Sequence, residues 1–397
     1  MEYITVHDAA KKWNISERLV QKYCSTGRII GARKLGRSWV IPYDSAKPDD
    51  PRKSEKIEKD DDIHTADFSG FMPLLNTPFK PGHCVEYINT LEDGAKKNIA
   101  MAEYHYFSGN PEKAIREAEL YLTCENSASR FSACLIYAYA NLSVGNIKCA
   151  KYALGEIKKT LETNAEKSPH IRAIEGFVVF ASSVLLHLPL PDKMPAVEEI
   201  FPLLPEGLRA FALYVSAHYL YLKEEYGKSV GIVEATLNMG ADKYPIPAIY
   251  LHLVAVMGYM SLKQKEKAKK HLLSAWELAR PDDLIEGLGE HHGLLGGMLE
   301  AVIKPAWPED FKRIIAITYR FSAGWRKVHN PVTGHDVADD LTTTEFAAAM
   351  LAARGWTNQE IAEHMNISAN TVKHHISNAL QKLGIKQRRE LKKYLLK

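Results

Sequence analysis

Small residues in the first half of the chain recur at a fixed interval. In AEYHYFSGNPEKAIREAELYL they are Ala102, Gly109 and Ala114; in AYANLSVGNIKCAKYALGEI they are Ala138, Gly145 and Ala150, each 36 residues further on. A period of this length is one pair of antiparallel helices, with alanines where the two approach and glycine at the turn between them. A single pair cannot bury its apolar side, so several must stack. The shape returns more loosely in AHYLYLKEEYGKSVGIVEATL and VMGYMSLKQKEKAKKHLLSAWELARP. Residues 76–335 are therefore expected to form an α-helical array whose concave face takes a peptide, a protein or a small ligand.

The other expectations start from composition. At 397 residues, 46% of them hydrophobic, the chain has room for two or three domains. It holds no run of 18 apolar residues, so no membrane span is expected. The opening MEYITVHDAAKKW lacks the basic and apolar regions of a secretory signal. The five cysteines (Cys24, Cys84, Cys124, Cys134, Cys149) form no CxxC pair and no metal spacing. An odd, scattered set fits free thiols in a reducing cytoplasm. Charge is unevenly placed. Residues 1–43 carry eight Lys/Arg against three Asp/Glu, and residues 341–397 carry nine against four, which leaves about −7 on the middle of a chain whose net charge is +3. Two basic ends around an acidic middle are the distribution expected when the ends meet a polyanion.

Enzyme chemistry is not expected. Glu225 to Ser229 contains Gly-Lys-Ser, the tail of a P-loop, but residue 222 is leucine where the first glycine belongs, and a helical pattern precedes it. Glu290, His291 and His292 could start a metal site; the glycines around them point instead to a helix end or close packing, and no further ligand frame completes the set. No nucleophile elbow or paired-acid frame is present, and no cofactor motif.

The C-terminal segment is read from its caps and its periodicity. LTTTEFAAAMLAARGW is a helix capped at Thr342 or Thr343, with Glu345 in its first turn, ending at Gly355. Ile361, Ala362 and Met365 mark a second helix, closed by Asn366, and Ser368 caps a third. In that third helix Val372, Ile376, Leu380 and Leu383 form an inward stripe. Asn370, Thr371, Lys373, His374, Ser377, Asn378 and Gln381 are left on the opposite side, a face of amides, hydroxyls and cations suited to base edges in a major groove. IKQRRELKKYLL is expected to be a fourth, basic helix.

This segment resembles the LuxR-type (GerE-like) DNA-binding domain. The match rests on Leu341-Thr342, Glu345, Gly355, Asn358 to Ala362, Ile367-Ser368, Thr371-Val372-Lys373, His375 and Lys382-Leu383-Gly384. The resemblance implies that Lys373, His374 and Ser377 read bases while Asn370, Thr371 and His375 lie near the DNA backbone. It also implies dimerisation through the last helix, at Ile385, Leu391 and Leu395.

At the other end, Thr5 is expected to cap a helix carrying Ala9, Ala10 and Trp13, and Ser16 a second carrying Leu19, Val20 and Tyr23, which Gly27 stops. Ile29-Ile30 and Trp39-Val40-Ile41 are expected to be two strands around a basic loop. The segment resembles the winged helix-turn-helix domains of the MerR/excisionase group, through Thr5-Val6, Ala9-Ala10, Ile15-Ser16, Val20, Gly27-Arg28-Ile29, Gly36 to Trp39 and Ile41-Pro42. That resemblance implies groove contacts from Ser16, Glu17, Arg18, Gln21 and Lys22, and wing contacts from Lys34, Arg37 and Ser38.

The array in turn resembles tetratricopeptide-type repeats. The expected fold is thus mainly α: a winged helix-turn-helix at 1–45, a charged flexible linker at 46–75, a helical-repeat domain at 76–335 and a LuxR-type domain at 336–397. The expected function is a bacterial-type transcription regulator that binds duplex DNA, with no cofactor and no metal. Its expected partners are a ligand or protein on the array, a second copy of the chain when on DNA, and RNA polymerase as a further candidate. The competing reading is a protein–protein adaptor whose terminal modules are interaction domains.

Overall fold

The computed structural model describes residues 3–29, 31–36, 38–43, 45, 47–48, 70–163, 169–185, 197–329 and 341–392. The architecture is mainly helical.

The N-terminal unit runs β1 (Tyr3–Thr5), α1 (Val6–Trp13), α2 (Glu17–Ser25), β2 (Arg33–Leu35) and β3 (Ser38–Pro42). Thr5 and Asp8 cap α1 reciprocally, Asn14 ends it in the left-handed region at φ 52°, and the Ser16 hydroxyl accepts from the Leu19 amide to start α2. The sheet is antiparallel in the order β1-β3-β2, with Ile4 opposite Ile41 and Lys34 opposite Trp39. One expectation is corrected here, and one strand is added. The strand that pairs with β3 is Arg33–Leu35 and not one at Ile29, whose side chain goes down into the unit's small core with Val20 and Ile41; Ile30 lies outside the described residues. Residues 3–5 form a third strand; three residues are too few to show an alternating pattern.

The middle of the chain comprises α3 (Cys84–Thr90), α4 (Ala95–Phe107), α5 (Pro111–Glu119), α6 (Ser127–Ser143), α7 (Ile147–Thr163), α8 (Pro169–Leu185) and α9 (Val197–Ile200). It continues through α10 (Glu206–Leu222), α11 (Tyr226–Asn238), α12 (Pro245–Ser261), α13 (Lys265–Ala279), α14 (Glu286–Glu290), α15 (Lys304–Ala306) and α16 (Pro308–His329). The Gly-Lys-Ser of the P-loop-like stretch lies in the first turn of α11, just after helix α10, and the Ser229 hydroxyl donates to the Ala217 carbonyl. All five cysteines are unbridged. No helix among the described residues is long and apolar enough to cross a membrane.

Four helix pairs, α4/α5, α6/α7, α10/α11 and α12/α13, share one turn. In each, the third residue past the first helix donates its amide to a carbonyl five residues back: Asn110 to His105, Asn146 to Asn141, Glu225 to Leu220 and Gln264 to Tyr259. The residue before it is left-handed: Gly109 at φ 77°, Gly145 at 74°, Glu224 at 61° and Lys263 at 58°. This is a helix-terminating device that satisfies the orphan carbonyls of the last turn. The markers 36 residues apart therefore occupy equivalent places, and Ala102, Ala114, Ala138 and Ala150 are all essentially inaccessible.

The expected linker ends too late. Phe71, Leu74 and Leu75 are buried in the array's core, and the Leu74 and Leu75 amides donate to the two carboxylate oxygens of Glu103, itself fully buried, at 2.8 and 3.1 Å. Residues 70–77 thus belong to the helical domain. Their short apolar run had no helical period to betray it.

Gly109→Ala is expected to cost about 1–2 kcal/mol, since an L-residue pays that much in the left-handed region. A Cβ there would also meet the Ile317 Cδ1 at 2.9 Å. Urea denaturation of the full chain measures it, and a change smaller than half a kcal/mol, roughly the size of a neutral surface substitution, would remove the turn from the stability of the array.

Candidate nucleic-acid interface

The C-terminal unit consists of α17 (Thr343–Ala353), α18 (Asn358–Met365) and α19 (Ala369–Lys382), each started by a hydroxyl cap. Thr342 with Glu345 and Thr357 with Glu360 are reciprocal capping boxes, and the Ser368 Oγ accepts from the Thr371 amide at 3.0 Å. Asn366, left-handed at φ 54°, makes the tight turn from α18 into the cap of α19. Val372, Ile376, Ala379 and Leu383 face inward with Ile361, Ala362, Met365 and Leu351.

The opposite side of α19 is open to solvent. Asn370, Lys373, His374, Ser377 and Gln381 are exposed, and Thr371, His375 and Asn378 are half-buried at its margins. The Asn378 amide donates to the His374 Nε2 at 3.3 Å, and the Thr371 hydroxyl lies 2.7 Å from that of Ser368. All six sequence-derived residues therefore lie on or beside one face of one helix. Gln381, one turn beyond Ser377, extends that face and was legible from the same spacing.

The last segment differs from expectation. Residues 385–387 are not helical, and a short 3-10 turn at Arg388–Glu390 leads into Leu391. Leu391 is fully buried and Ile385 packs against the same core. Leu391 therefore lies in the chain's own interior and presents no open surface in this structure, while Ile385 is half-buried against the same core. Leu395 lies outside the described residues.

At the N-terminal end, Ser16, Arg18, Gln21 and Lys22 are exposed along α2, and Lys34 and Ser38 are exposed on the β2–β3 hairpin; Arg37 lies outside the described residues. The Lys34 ammonium sits over the Trp39 ring at 5.7 Å. The base of this unit rests on the array: Arg28 pairs with Glu119 at 2.9 Å, and the Thr26 carbonyl accepts from the Cys149 thiol.

Glu345 ties the C-terminal unit together. It is 5% exposed, accepts from the Thr342 amide, and receives the Lys382 Nζ at 2.8 Å from the far end of α19. Burial alone would raise its carboxyl, but Lys382, Thr342 and Asn378 outweigh that and hold it below the ordinary glutamate value.

Comparison with known proteins bears on this unit. Residues 339–395 match the family model described as bacterial regulatory proteins, luxR family. They are a luxR-family helix-turn-helix domain. The probable transcriptional regulatory protein SgaR of Hyphomicrobium methylovorum is 44% identical over 54 residues, 14% of this chain and 26% of that protein. The response regulator protein VraR of Staphylococcus saprophyticus is 30% identical over 110 residues, 26% of this chain and 53% of its own length. VraR of Staphylococcus aureus is 46% identical over 48 residues, 12% of this chain and 23% of that protein. The chain thus spans from about a quarter to about half of the length of these relatives.

The luxR-family domain is docked on the array by residues that no motif marked. The Arg354 Nη2 donates to the Tyr221 hydroxyl at 2.7 Å and to the Leu294 carbonyl at 2.6 Å, and the His364 Nε2–H donates to the Gly296 carbonyl at 3.1 Å. Of the left-handed residues in the four repeated turns, the two that are not glycine also reach it. Lys263 pairs with Glu360 at 3.2 Å and donates to the Gly355 carbonyl, and Glu224 accepts from Lys392 at 3.0 Å. Such exposed pairs contribute about 0–1 kcal/mol each.

Glu345→Gln is expected to lower the unfolding free energy at neutral pH by roughly 1–3 kcal/mol, the worth of hydrogen bonds to a charged group. Because the folded-state carboxyl is depressed, this contribution is complete above the ordinary value of 4.5 and is lost as the pH falls through the folded one. Urea midpoints of both proteins taken from pH 7 downward should therefore converge; a gap that persists in acid would mean the loss is steric.

Proposed function

We propose that the chain is a transcription regulator of bacterial type that binds duplex DNA sequence-specifically through α19, and that the helical array controls it. The observation carrying this reading is the exposed polar face of α19 within a luxR-family domain. A helix of this size fits the major groove, and a face of amide, hydroxyl, imidazole and ammonium groups matches the hydrogen-bonding edges displayed there. Lys373, His374 and Ser377 would meet bases, with Asn370, Thr371 and His375 near phosphates. The names of the relatives, a transcriptional regulatory protein and response regulators, support the same reading.

The N-terminal unit is proposed as a second DNA contact, a winged helix-turn-helix with α2 as its groove helix and the β2–β3 hairpin as its wing. Its support is the excess of basic residues in 1–43 and the exposure of Arg18, Gln21, Lys22 and Lys34. Stacked helix pairs joined by one repeated turn support a tetratricopeptide-like array that carries the sensor or partner site. Two copies on half-sites about one helical turn apart are the expected bound form. Their contact would have to come from residues other than Leu391.

Lys373→Ala is expected to weaken operator binding by roughly 1–3 kcal/mol and to relax preference at one base position. Gel shifts against a selected duplex library read both, and unchanged affinity together with unchanged preference would take α19 out of the groove. Lys34→Ala should lower the slope of log affinity against log salt by about one. An identical slope would leave the hairpin outside the footprint. A full-length chain that ignores duplex DNA even at low ionic strength would instead favour the adaptor reading.

A further inference from the structure

The array surrounds a half-open cavity of about 270 Å³ between α4, α6, α8, α10, α12, α14 and α16. Its walls are largely hydrocarbon and aromatic; Glu290 and His291 stand at the α14 end, and Tyr139, Ser182 and His218 are also in the wall. The rings of Phe211, Tyr214 and Tyr250 meet edge to face there, with centroids 5.0 to 5.5 Å apart, and Phe107 closes on Tyr250 at 6.0 Å.

The direction of each hydrogen bond at this end can be worked out. Burial pushes the hydroxyls of Tyr106, Tyr214 and Tyr250 well above the usual tyrosine value, so all three keep their protons and donate. Tyr106 donates to the Glu290 Oε1 at 2.6 Å and Tyr250 to its Oε2 at 3.0 Å. Burial also lowers the His291 imidazole, which is therefore neutral. Its Nδ1–H donates to the Gly287 carbonyl at 2.8 Å, so its Nε2 accepts from Tyr214 at 3.0 Å. The donors of Tyr106, Tyr214, Tyr250 and His291 are thus engaged in existing bonds, and Glu290 offers the cavity the remaining acceptor capacity of its two oxygens.

Among the described residues no Lys or Arg forms an ion pair with Glu290, whereas the buried Glu286 one turn earlier is matched by Arg320 at 2.6 Å. A half-buried carboxylate beside apolar and aromatic walls attracts a positive charge brought into contact with it more strongly than it would in open water. The aromatic walls favour the same charge wherever it comes to lie over a ring, through attraction between a cation and the aromatic quadrupole. A neutral guest would leave the carboxylate uncompensated, and an anion would be repelled.

The cavity is also joined to the luxR-family domain. Leu294 is part of its wall, and its carbonyl is the acceptor for Arg354 at the end of α17. Arg354 bonds Tyr221 as well, on α10, which lines the cavity. The backbone between them is pressed directly against α17: a Cβ on Gly293 would lie 2.4 Å from the Phe346 ring. Arg354 has only these neutral acceptors, and its Nε and Nη1 are buried without a partner. A guanidinium held in this way is a weak joint, and small displacements of residues 291–294 reach it directly.

We propose that this cavity binds a small lipophilic amine, its ammonium on Glu290 and its apolar body among Phe107, Phe211, Tyr214 and Tyr250, and that occupancy is passed through residues 291–297 to the DNA-binding domain. The second half of the proposal rests on the DNA-binding reading above; the first half stands without it.

The test uses the full-length protein and three probes of one shape: tryptamine, its alcohol counterpart tryptophol and the anion indole-3-propionate. Calorimetry and thermal shift should show tryptamine binding about tenfold or more tighter than tryptophol, and no binding of the anion, a factor of ten being about 1.4 kcal/mol. Glu290→Gln should remove the preference for the amine while circular dichroism stays native. Ala181→Phe, which fills the cavity from α8, should block amine and alcohol alike. Equal binding of all three probes, a preference for the anion, or an amine preference that survives Glu290→Gln would overturn the assignment. So would the absence of binding by both tryptamine and the smaller phenethylamine at millimolar concentration. Gel shifts with and without bound amine then read the coupling, with a change in DNA affinity of about fivefold or more expected, in the range of known couplings. Unchanged DNA affinity with the amine bound would overturn the coupling alone, and a protein that never binds DNA would fail the DNA-binding reading while leaving the calorimetry to stand.

Discussion

The C-terminal half of the structure depends on a stretch of backbone with few side chains. Residues 286–297 read EGLGEHHGLLGG, and α17 lies against their main chain because no Cβ holds it away at Gly293. Close approach turns carbonyls into the available partners, so Arg354 and His364 bond to Leu294 and Gly296 rather than to side chains. Apolar contacts accompany these bonds: Met260 and Leu351 both lie beside Gly296, and residues of α17 share one core with the array.

The array on which it rests is built differently. Its helix pairs are closed by one turn used four times, with a left-handed residue that releases the chain from the first helix and lets the next begin two residues later. In two pairs glycine fills that position without strain. In the other two Glu224 and Lys263 accept a conformation that costs an L-residue about 1–2 kcal/mol, and both side chains reach the luxR-family domain. The exposed pairs they form do not offset that strain by themselves. Their value lies in registering the domain against the array. Beneath them, alanines at the helix contacts allow the close packing that leaves larger side chains free to surround a cavity.

Legibility of the fold followed the range of the interactions involved. The caps at Thr5, Ser16, Thr342, Thr357 and Ser368 each bond to an amide three residues away, so a short window contains everything that decides them. The outward set on α19 follows from the 3.6-residue period once Val372 and Ile376 are taken as inward. Strand pairing was harder to read. Ile29 carries a strand-like side chain, yet it serves the small core, while the exposed Arg33–Leu35 forms the ladder because β3 presents its bonding edge there. Residues 70–75, assigned to a linker, are anchored through Leu74 and Leu75 by Glu103, 28 or 29 residues further on.

By itself, the sequence determined which segments are helical, where most of them start and stop, and that the two ends carry the positive charge, since all of this rests on neighbours within one or two turns. It also determined the outer face of α19. Only the tertiary structure decided that Leu391 closes a core, that Arg354 joins two domains, and that Tyr106, Tyr214, Tyr250 and Glu290 converge on one enclosure. Those residues are up to 184 positions apart in the chain, and the Glu290 carboxylate meets Tyr106 and Tyr250 only after α4, α12 and α14 have packed together.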